Sequence, residues 1–245
     1  MPATPTLRML DLDAAEPNEA VVVVDVLRAF TVVPWLLERG ARRVLAVGTR
    51  EQAVALRAEH LPDALLAGEQ GGRPYPDFDL GNSPTEVAAA QLSGRTVIQR
   101  TTAGTQGLVR TAGSGLVLAA SFVTAAATAR RLSAAAPRQI SFVITGASLG
   151  RDGDEDLACA ELIGARVRGE DPDPSPFLAR VAPSDHGRYF ASDGADWAPV
   201  ADLGRALELD RFDWTVEATP AADVPAIELC RTTPPRSMNG EEPSA

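Results

Sequence analysis

The sequence predicts an α/β protein, a three-layer α/β/α sandwich around a mainly parallel or mixed sheet. Three observations predict it. Short apolar runs alternate with amphipathic stretches through the first two thirds of the 245 residues. Several runs, VVVV at Val21–Val24 foremost, show no polar alternation, which suits strands covered on both faces. The order is strand, helix, strand, helix, which favours parallel strands joined by helical crossovers.

Taken in order, the expected strands are Val21–Val26, Arg43–Val47, Ala64–Ala67, Arg95–Gln99, Gly115–Ala120 and Gln139–Thr145. Between and after them the spacing predicts helices over Ala29–Arg39, Arg50–Glu59, Pro84–Leu92, Gln106–Thr111, Val123–Ala135 and Glu155–Arg168. Pro34 is expected to kink the first helix or shift its start. Ser83, Pro84 and Glu86 read as an N-cap, an N1 proline and the far side of a capping box. EDPDPSPF, Glu170–Phe177, reads as a surface loop. Helices around Pro183–Ala191 and Val200–Leu209 and a last strand near Ala226–Cys230 follow. Residues 1–230 are expected to form one domain, and Arg231–Ala245 a disordered tail rich in Pro, Ser and Glu.

Composition narrows the chemistry. The formal net charge is −10, which makes nucleic acid and anionic membranes poor partners. No apolar run approaches the ~20 residues of a membrane span. The start, MPATPTLRML, has no basic stretch followed by an apolar core, so no signal peptide is expected and the cytoplasm is the expected compartment. There is no lysine: all 23 basic residues are Arg. That removes the P-loop lysine, the Schiff base and a pyridoxal phosphate anchor. Two histidines, His60 and His186, are too few for a three-His metal site, and both read as surface residues. Cys159 and Cys230 form no CxxC pattern, and Cys159 is expected to pack rather than react. DLDAA, Asp11–Ala15, looks a little like the start of haloacid-dehalogenase-type phosphatases, but no buried strand precedes it and their lysine is missing.

In open α/β sheets, ligands gather beyond the carboxyl ends of parallel strands. Each expected strand delivers polar residues there. Val21–Val24 lead into Asp25, Arg28 and Thr31; Ala64–Ala67 into Gly68, Glu69 and the long stretch GEQGGRPYPDFDLGNSPTE. Arg95–Gln99 lead into Arg100 and TTAGTQG, and Gly115–Ala120 into Ser121. Gln139–Thr145 lead into RDGDEDLACA with Asp152, Asp154, Glu155 and Asp156. Asp25 suits a Mg²⁺ ligand or an N-cap, and Arg28 an anion contact or an ion pair. Thr101, Thr102, Gly104 and Thr105 form a small-residue turn through which backbone and hydroxyls can approach an anion. Most acids of RDGDEDLACA are accounted for by a helix's first turn, with one left as a metal ligand. SPTE explains itself by capping, whereas Glu69, Asp79 and Asn82 are left without a structural explanation.

These pieces, in this order, resemble the 2-phosphosulfolactate phosphatase family. The resemblance rests on VVVVDVLRAFT, GE at Gly68–Glu69, FDLGNSP at Phe78–Pro84, TTAGT at Thr101–Thr105, ASFVTA at Ala120–Ala125 and EDLACA at Glu155–Ala160. It implies an α/β/α sandwich and a Mg²⁺-dependent acid phosphatase that releases phosphate from 2-phosphosulfolactate to give 3-sulfolactate, in coenzyme M biosynthesis. Asp25, Glu69 and Asp156 are the expected metal ligands and, with Arg28, the expected catalytic residues. Arg28, Asn82, Arg100, Thr101, Thr102, Gly104, Thr105 and Ser121 are the expected substrate contacts, and Arg100 and Arg73 the cations for a sulfonate or carboxylate. Direct attack by water and a phospho-enzyme on Asp25 both fit. The family's turn usually carries Asn where this chain has Ala103, and a second Asn where it has Thr124, so both are expected to line an altered pocket. The expected partner is a small-molecule phosphate ester, with a homodimer as the assembly. A non-catalytic anion-binding protein, or a phosphatase for a non-sulfonated acid, is the alternative.

Overall fold

The structure is a computed structural model that describes residues 4–148, 150–191 and 197–235. In chain order the first elements are Thr6–Asp11 (β1), Ala20–Val24 (β2), Ala29–Glu38 (α1), Arg43–Ala46 (β3), Arg50–Glu59 (α2), Leu65–Gln70 (β4) and Arg73–Pro74 (β5). Pro84–Ala89 (α3), Thr96–Arg100 (β6), Gly104–Arg110 (α4), Leu116–Ala120 (β7), Ala125–Ala135 (α5), Gln139–Ile144 (β8) and Asp154–Val167 (α6) come next. Ser175–Leu178 (α7), Asp185–Ala191 (α8), Val200–Ala206 (α9), Thr215–Pro220 (β9) and Ile227–Thr232 (β10) complete them.

The strands form a sheet in the order β1-β8-β2-β7-β9-β10-β3-β6-β4-β5. β1, β8, β2 and β7 pair in parallel, as do β3, β6 and β4. Between these blocks lies the antiparallel β9–β10 hairpin, itself antiparallel to β7 on one side and β3 on the other. The sheet is therefore mixed but mostly parallel, with helices on both faces, as the strand–helix alternation predicts.

Why these residues make these strands is clearest at β2, whose five residues are all fully buried. Val21 and Val23 pack toward α1, while Ala20, Val22 and Val24 pack toward α5 and α6. Burial on both faces is worth about 1.5–3 kcal/mol per valine, so a continuous apolar run is what the position demands. β3 divides likewise: Val44 and Ala46 join the α1 side, Leu45 the side covered by α2. The core around α1 draws on strands of both blocks, which places α1 between them. Its first eight residues, Pro34 included, are buried, and the helix continues past Pro34 to Glu38.

Four details differ from the sequence reading. β1 is an edge strand with mostly exposed or half-buried side chains, so it has no apolar run to announce it. β9, TVEATP, lacks such a run yet lies in mid-sheet. At α3, Ser83 accepts from Glu86 N at 3.2 Å, but Glu86 reaches back to Gly81 N rather than to the cap; the closed capping box is at α2, between Thr49 and Gln52. The expected tail begins inside β10, which runs to Thr232; residues 236–245 of that tail lie outside the described residues. No described helix is long and apolar enough to cross a membrane.

Candidate active site

Residues just beyond the carboxyl ends of β2, β4, β6 and β8 line one cavity of about 250 Å³. They include Asp25, Leu27 and Arg28 after β2, and Glu69 of β4 with Gly71 and Gly72 after it. Thr102 and Ala103 follow β6; Thr145, Arg151 and Asp156 follow β8. Asn82, Asp185, His186, Tyr189, Phe190 and Trp197 close the rest of the wall.

Asp25 is buried and its Oδ1 accepts from Ala29 N at 2.9 Å. α4 begins against it: a Cβ on Gly104 would lie 2.6 Å from Asp25 Oδ2 and 2.8 Å from Ala29 Cβ, so only glycine permits this approach. Asp156, in the first turn of α6, is held by Val26 N at 2.7 Å, Gly146 N at 2.7 Å and Thr145 Oγ1 at 3.2 Å. It thereby ties β8 to the chain leaving β2. Burial pushes Asp25 from the ordinary 3.8 up to about 6; Ala29 N–H and His186 pull it down, and Glu69 and Glu155 add to the rise. Asp156 is driven well up by burial and by the charges of Glu155 and Asp25.

Glu69 is a brace between two turns. Its Oε1 accepts from Thr102 N at 2.6 Å, and its Oε2 from Gly72 N at 2.6 Å and Thr102 Oγ1 at 3.0 Å. Arg28 is 3% exposed; its guanidinium donates to Asp202 Oδ2 at 2.8 Å, Trp197 O at 2.9 Å and Gly72 O at 3.1 Å. That leaves two of its five N–H donors without a partner among the described residues. Asn82 is buried, and its Oδ1 has no partner among the described residues. The peptide between Leu27 and Arg28 is cis.

Not every expected contact reaches the cavity. Ser121 is fully buried and donates to Phe30 O, because a hydroxyl there has a carbonyl to satisfy. Thr101 and Thr105 satisfy one another's turn: Thr105 N donates to Thr101 Oγ1 at 3.1 Å and Thr101 N to Thr105 Oγ1 at 3.0 Å. Arg100 donates to Glu69 O and the Tyr75 hydroxyl, outside the cavity wall, and Arg73 is an exposed residue over the Trp197 ring. Ala103 lines the cavity as expected; Thr124 does not, its hydroxyl donating to Ser121 O. Asp79 proves structural, accepting from Leu66 N and pairing with Arg57.

Other residues were missed by sequence reasoning. Arg151 lines the cavity, bonded to Ser148 through its carbonyl and hydroxyl, with no carboxylate partner among the described residues. Asp202 anchors Arg28 and also accepts from Ser83 Oγ at 2.7 Å and Thr85 N at 3.1 Å. His186, expected on the surface, is half-buried in the cavity wall, paired with a fully buried Glu155. Only the aromatic cluster around HGRYF could have signalled that this helix covers something.

The oxygen-rich wall suits a hard divalent cation. Asp25, Glu69 and Asp156 have no Arg partner among the described residues, and Asp25 and Asp156 are raised partly by like charge. Among the described residues no three of His, Cys, Asp and Glu stand close enough to hold one ion, so the expected three-carboxylate set is not assembled. Mg²⁺ is satisfied by one or two carboxylates with water and phosphate oxygens, and Asp25 with Asp156 offers that.

The family model for 2-phosphosulpholactate phosphatase matches residues 7–188. A protein of Deinococcus radiodurans named probable 2-phosphosulfolactate phosphatase is 38% identical over 236 residues, covering 89% of this chain and 94% of its own. Proteins with the same name from Thermus thermophilus and Bacillus subtilis are 39% and 33% identical, covering 69% and 62% of this chain and 67% and 66% of theirs. A chain matched over that length, with its DVLR, DLGNSP and EDLACA segments brought to one cavity, belongs to the 2-phosphosulpholactate phosphatase family.

Proposed function

We propose that this chain hydrolyses the phosphate monoester of a small 2-hydroxy acid bearing a second anionic group, with Mg²⁺ as cofactor and 2-phosphosulfolactate as the first candidate substrate. The observation that carries this reading is a small cavity lined by a buried Arg28, two of whose donors have no partner among the described residues, and by carboxylates with no Arg partner among those residues. Asp25 and Asp156 would hold the ion, which supplies charge to polarise the phosphoryl oxygens. Arg28 binds non-bridging oxygens of the phosphoryl group and offsets the charge that develops on them. Its fork is held by Asp202 and two carbonyls, so it need not reorganise during the reaction. The turn at Thr102 is fixed from behind by Glu69, which makes Glu69 a support of the wall. Arg151 receives the sulfonate or carboxylate, since it is a cavity-lining cation with no carboxylate partner among the described residues.

Phosphate release tests this directly. 2-Phosphosulfolactate, its non-sulfonated counterpart 2-phospholactate and simple alkyl phosphates are each assayed with Mg²⁺ and with EDTA. Mg²⁺-dependent turnover fastest with 2-phosphosulfolactate is the expected result. Preference for the non-sulfonated acid would move the substrate assignment, with Ala103 as the first residue to revisit. Binding without release from any ester would replace the enzyme by an anion-binding protein.

A further inference from the structure

The cavity wall holds His186, to which the sequence assigned no chemistry, and Glu155 stands directly behind it. His186, on α8, donates or accepts through Nδ1 at 2.8 Å from Glu155 Oε1 on α6. The His186 side chain is 21% exposed and lines the cavity; that of Glu155 is 1% exposed. Among the described residues neither the buried Glu155 Oε2 nor His186 Nε2 has a hydrogen-bond partner. Burying a carboxylate with one oxygen unsatisfied carries the desolvation penalty of a charged group. An apolar contact would join α8 to α6 without that cost. What the carboxylate does provide is a fixed ring: it holds Nδ1–H and leaves Nε2 as the nitrogen available to a ligand.

The reaction needs such a group. The leaving group of an alkyl phosphate is an alkoxide, a strong base that requires a proton as the P–O bond breaks. Arg28 and Arg151 line the cavity but do not give up protons. Asp25 and Asp156 accept from backbone N–H groups and, on the proposed reading, would hold the cation as carboxylates. His186 lines the same wall and presents a ring nitrogen, Nε2, with no hydrogen-bond partner among the described residues, from which a proton can pass to the leaving oxygen.

We propose that His186 is the general acid of this phosphatase and that Glu155 is its positioning residue, an assignment that rests on the phosphatase reading. Water's oxygen forms the new bond to phosphorus and the ester P–O bond breaks. Its electron pair stays on the leaving oxygen, which takes the proton from His186 Nε2. The products are the alcohol, dihydrogen phosphate and a neutral imidazole still donating Nδ1–H to Glu155. Dihydrogen phosphate returns one proton to Nε2 as it becomes hydrogen phosphate, so atoms and charge balance and nothing is oxidised.

The test separates this role from a structural one by leaving group. His186→Asn keeps a donor for Glu155 and removes the transferable proton. With the full chain and Mg²⁺, kcat for 2-phosphosulfolactate is expected to fall by roughly 10²–10⁴. For p-nitrophenyl phosphate, whose phenolate leaves without a proton, it should stay within about fivefold, since only the acid step is lost. Glu155→Gln should show the same selective pattern at smaller amplitude, and imidazole should restore turnover of the alkyl ester to His186→Ala. Parallel loss on both esters, or loss on neither, together with no imidazole rescue, overturns the assignment while the phosphatase stands. A folded wild-type protein inactive on both esters overturns the phosphatase reading and this assignment with it.

Discussion

Replacing Asp25 by Asn should make the metal-free protein more stable at neutral pH while abolishing its activity. In the folded chain, burial raises Asp25 from 3.8 to about 6, which amounts to about 3 kcal/mol at roughly 1.4 kcal/mol per tenfold in proton affinity. The sign follows from which state loses its proton first. Below about pH 4 both states hold the proton and Asp25 costs nothing. Between about pH 4 and 6 the unfolded chain ionises first, so stability falls as pH rises through that window. Above about 6 the full cost persists. Asn carries no such cost and can still accept from Ala29 N, the one hydrogen bond the Asp25 side chain makes among the described residues. Urea unfolding in EDTA should therefore find Asp25→Asn more stable than wild type by up to about 3 kcal/mol at pH 7.5 and by only about 1 kcal/mol at pH 4.5. Saturating Mg²⁺ should raise the melting temperature of wild type and leave the variant unmoved. A variant no more stable than wild type at pH 7.5, or stabilised equally at both pH values, would refute the argument that Asp25 is a strained, cation-seeking carboxylate.

Three further perturbations probe the rest of the wall. Arg151→Ala should raise KM for 2-phosphosulfolactate at least about tenfold, as expected for a lost charge-assisted contact, and leave kcat/KM for an alkyl phosphate without a second anion within about threefold; steady-state phosphate release on both esters reads the difference. Arg28→Ala leaves the buried Asp202 unpaired and should cost about 3–5 kcal/mol in urea unfolding, whereas Arg28→Met with Asp202→Asn should regain part of that stability and none of the activity. Gly104→Ala drives a methyl against Asp25 Oδ2 and Ala29, and should cost about 1–3 kcal/mol by thermal melts with at least a tenfold loss of phosphate release.

Much of this protein is legible along the chain because local physics settles it. Four adjacent valines have one comfortable place, a strand covered on both faces, and β2 is that strand. The helix periods, the N-cap at Ser83 and the run of polar residues after each strand follow from spacing alone. So does the gathering of Asp25, Arg28, Glu69, Asn82, Thr102 and Asp156 at one cavity, since parallel strands present their carboxyl ends together. Composition by itself, lysine-free and poor in histidine, removed whole classes of mechanism.

Tertiary structure decided what depends on partners far away in sequence. Val26 is held by an acid 130 residues on, and Arg28 by one 174 residues on; no local pattern marks either pairing. Thr101, Thr105 and Ser121 look like anion contacts in the sequence, but each hydroxyl has a nearer obligation to buried backbone or to its neighbour. The β9–β10 hairpin enters mid-sheet because its flanks complete the ladders of β7 and β3, not because TVEATP carries a strand's apolar signature. His186 and Arg151 become site residues only when the chain after β8 folds back over the cavity. A side chain's chemistry is written in its type, but whether that chemistry is spent on the fold or left for a ligand depends on which donors and acceptors the fold brings within about 3 Å of it.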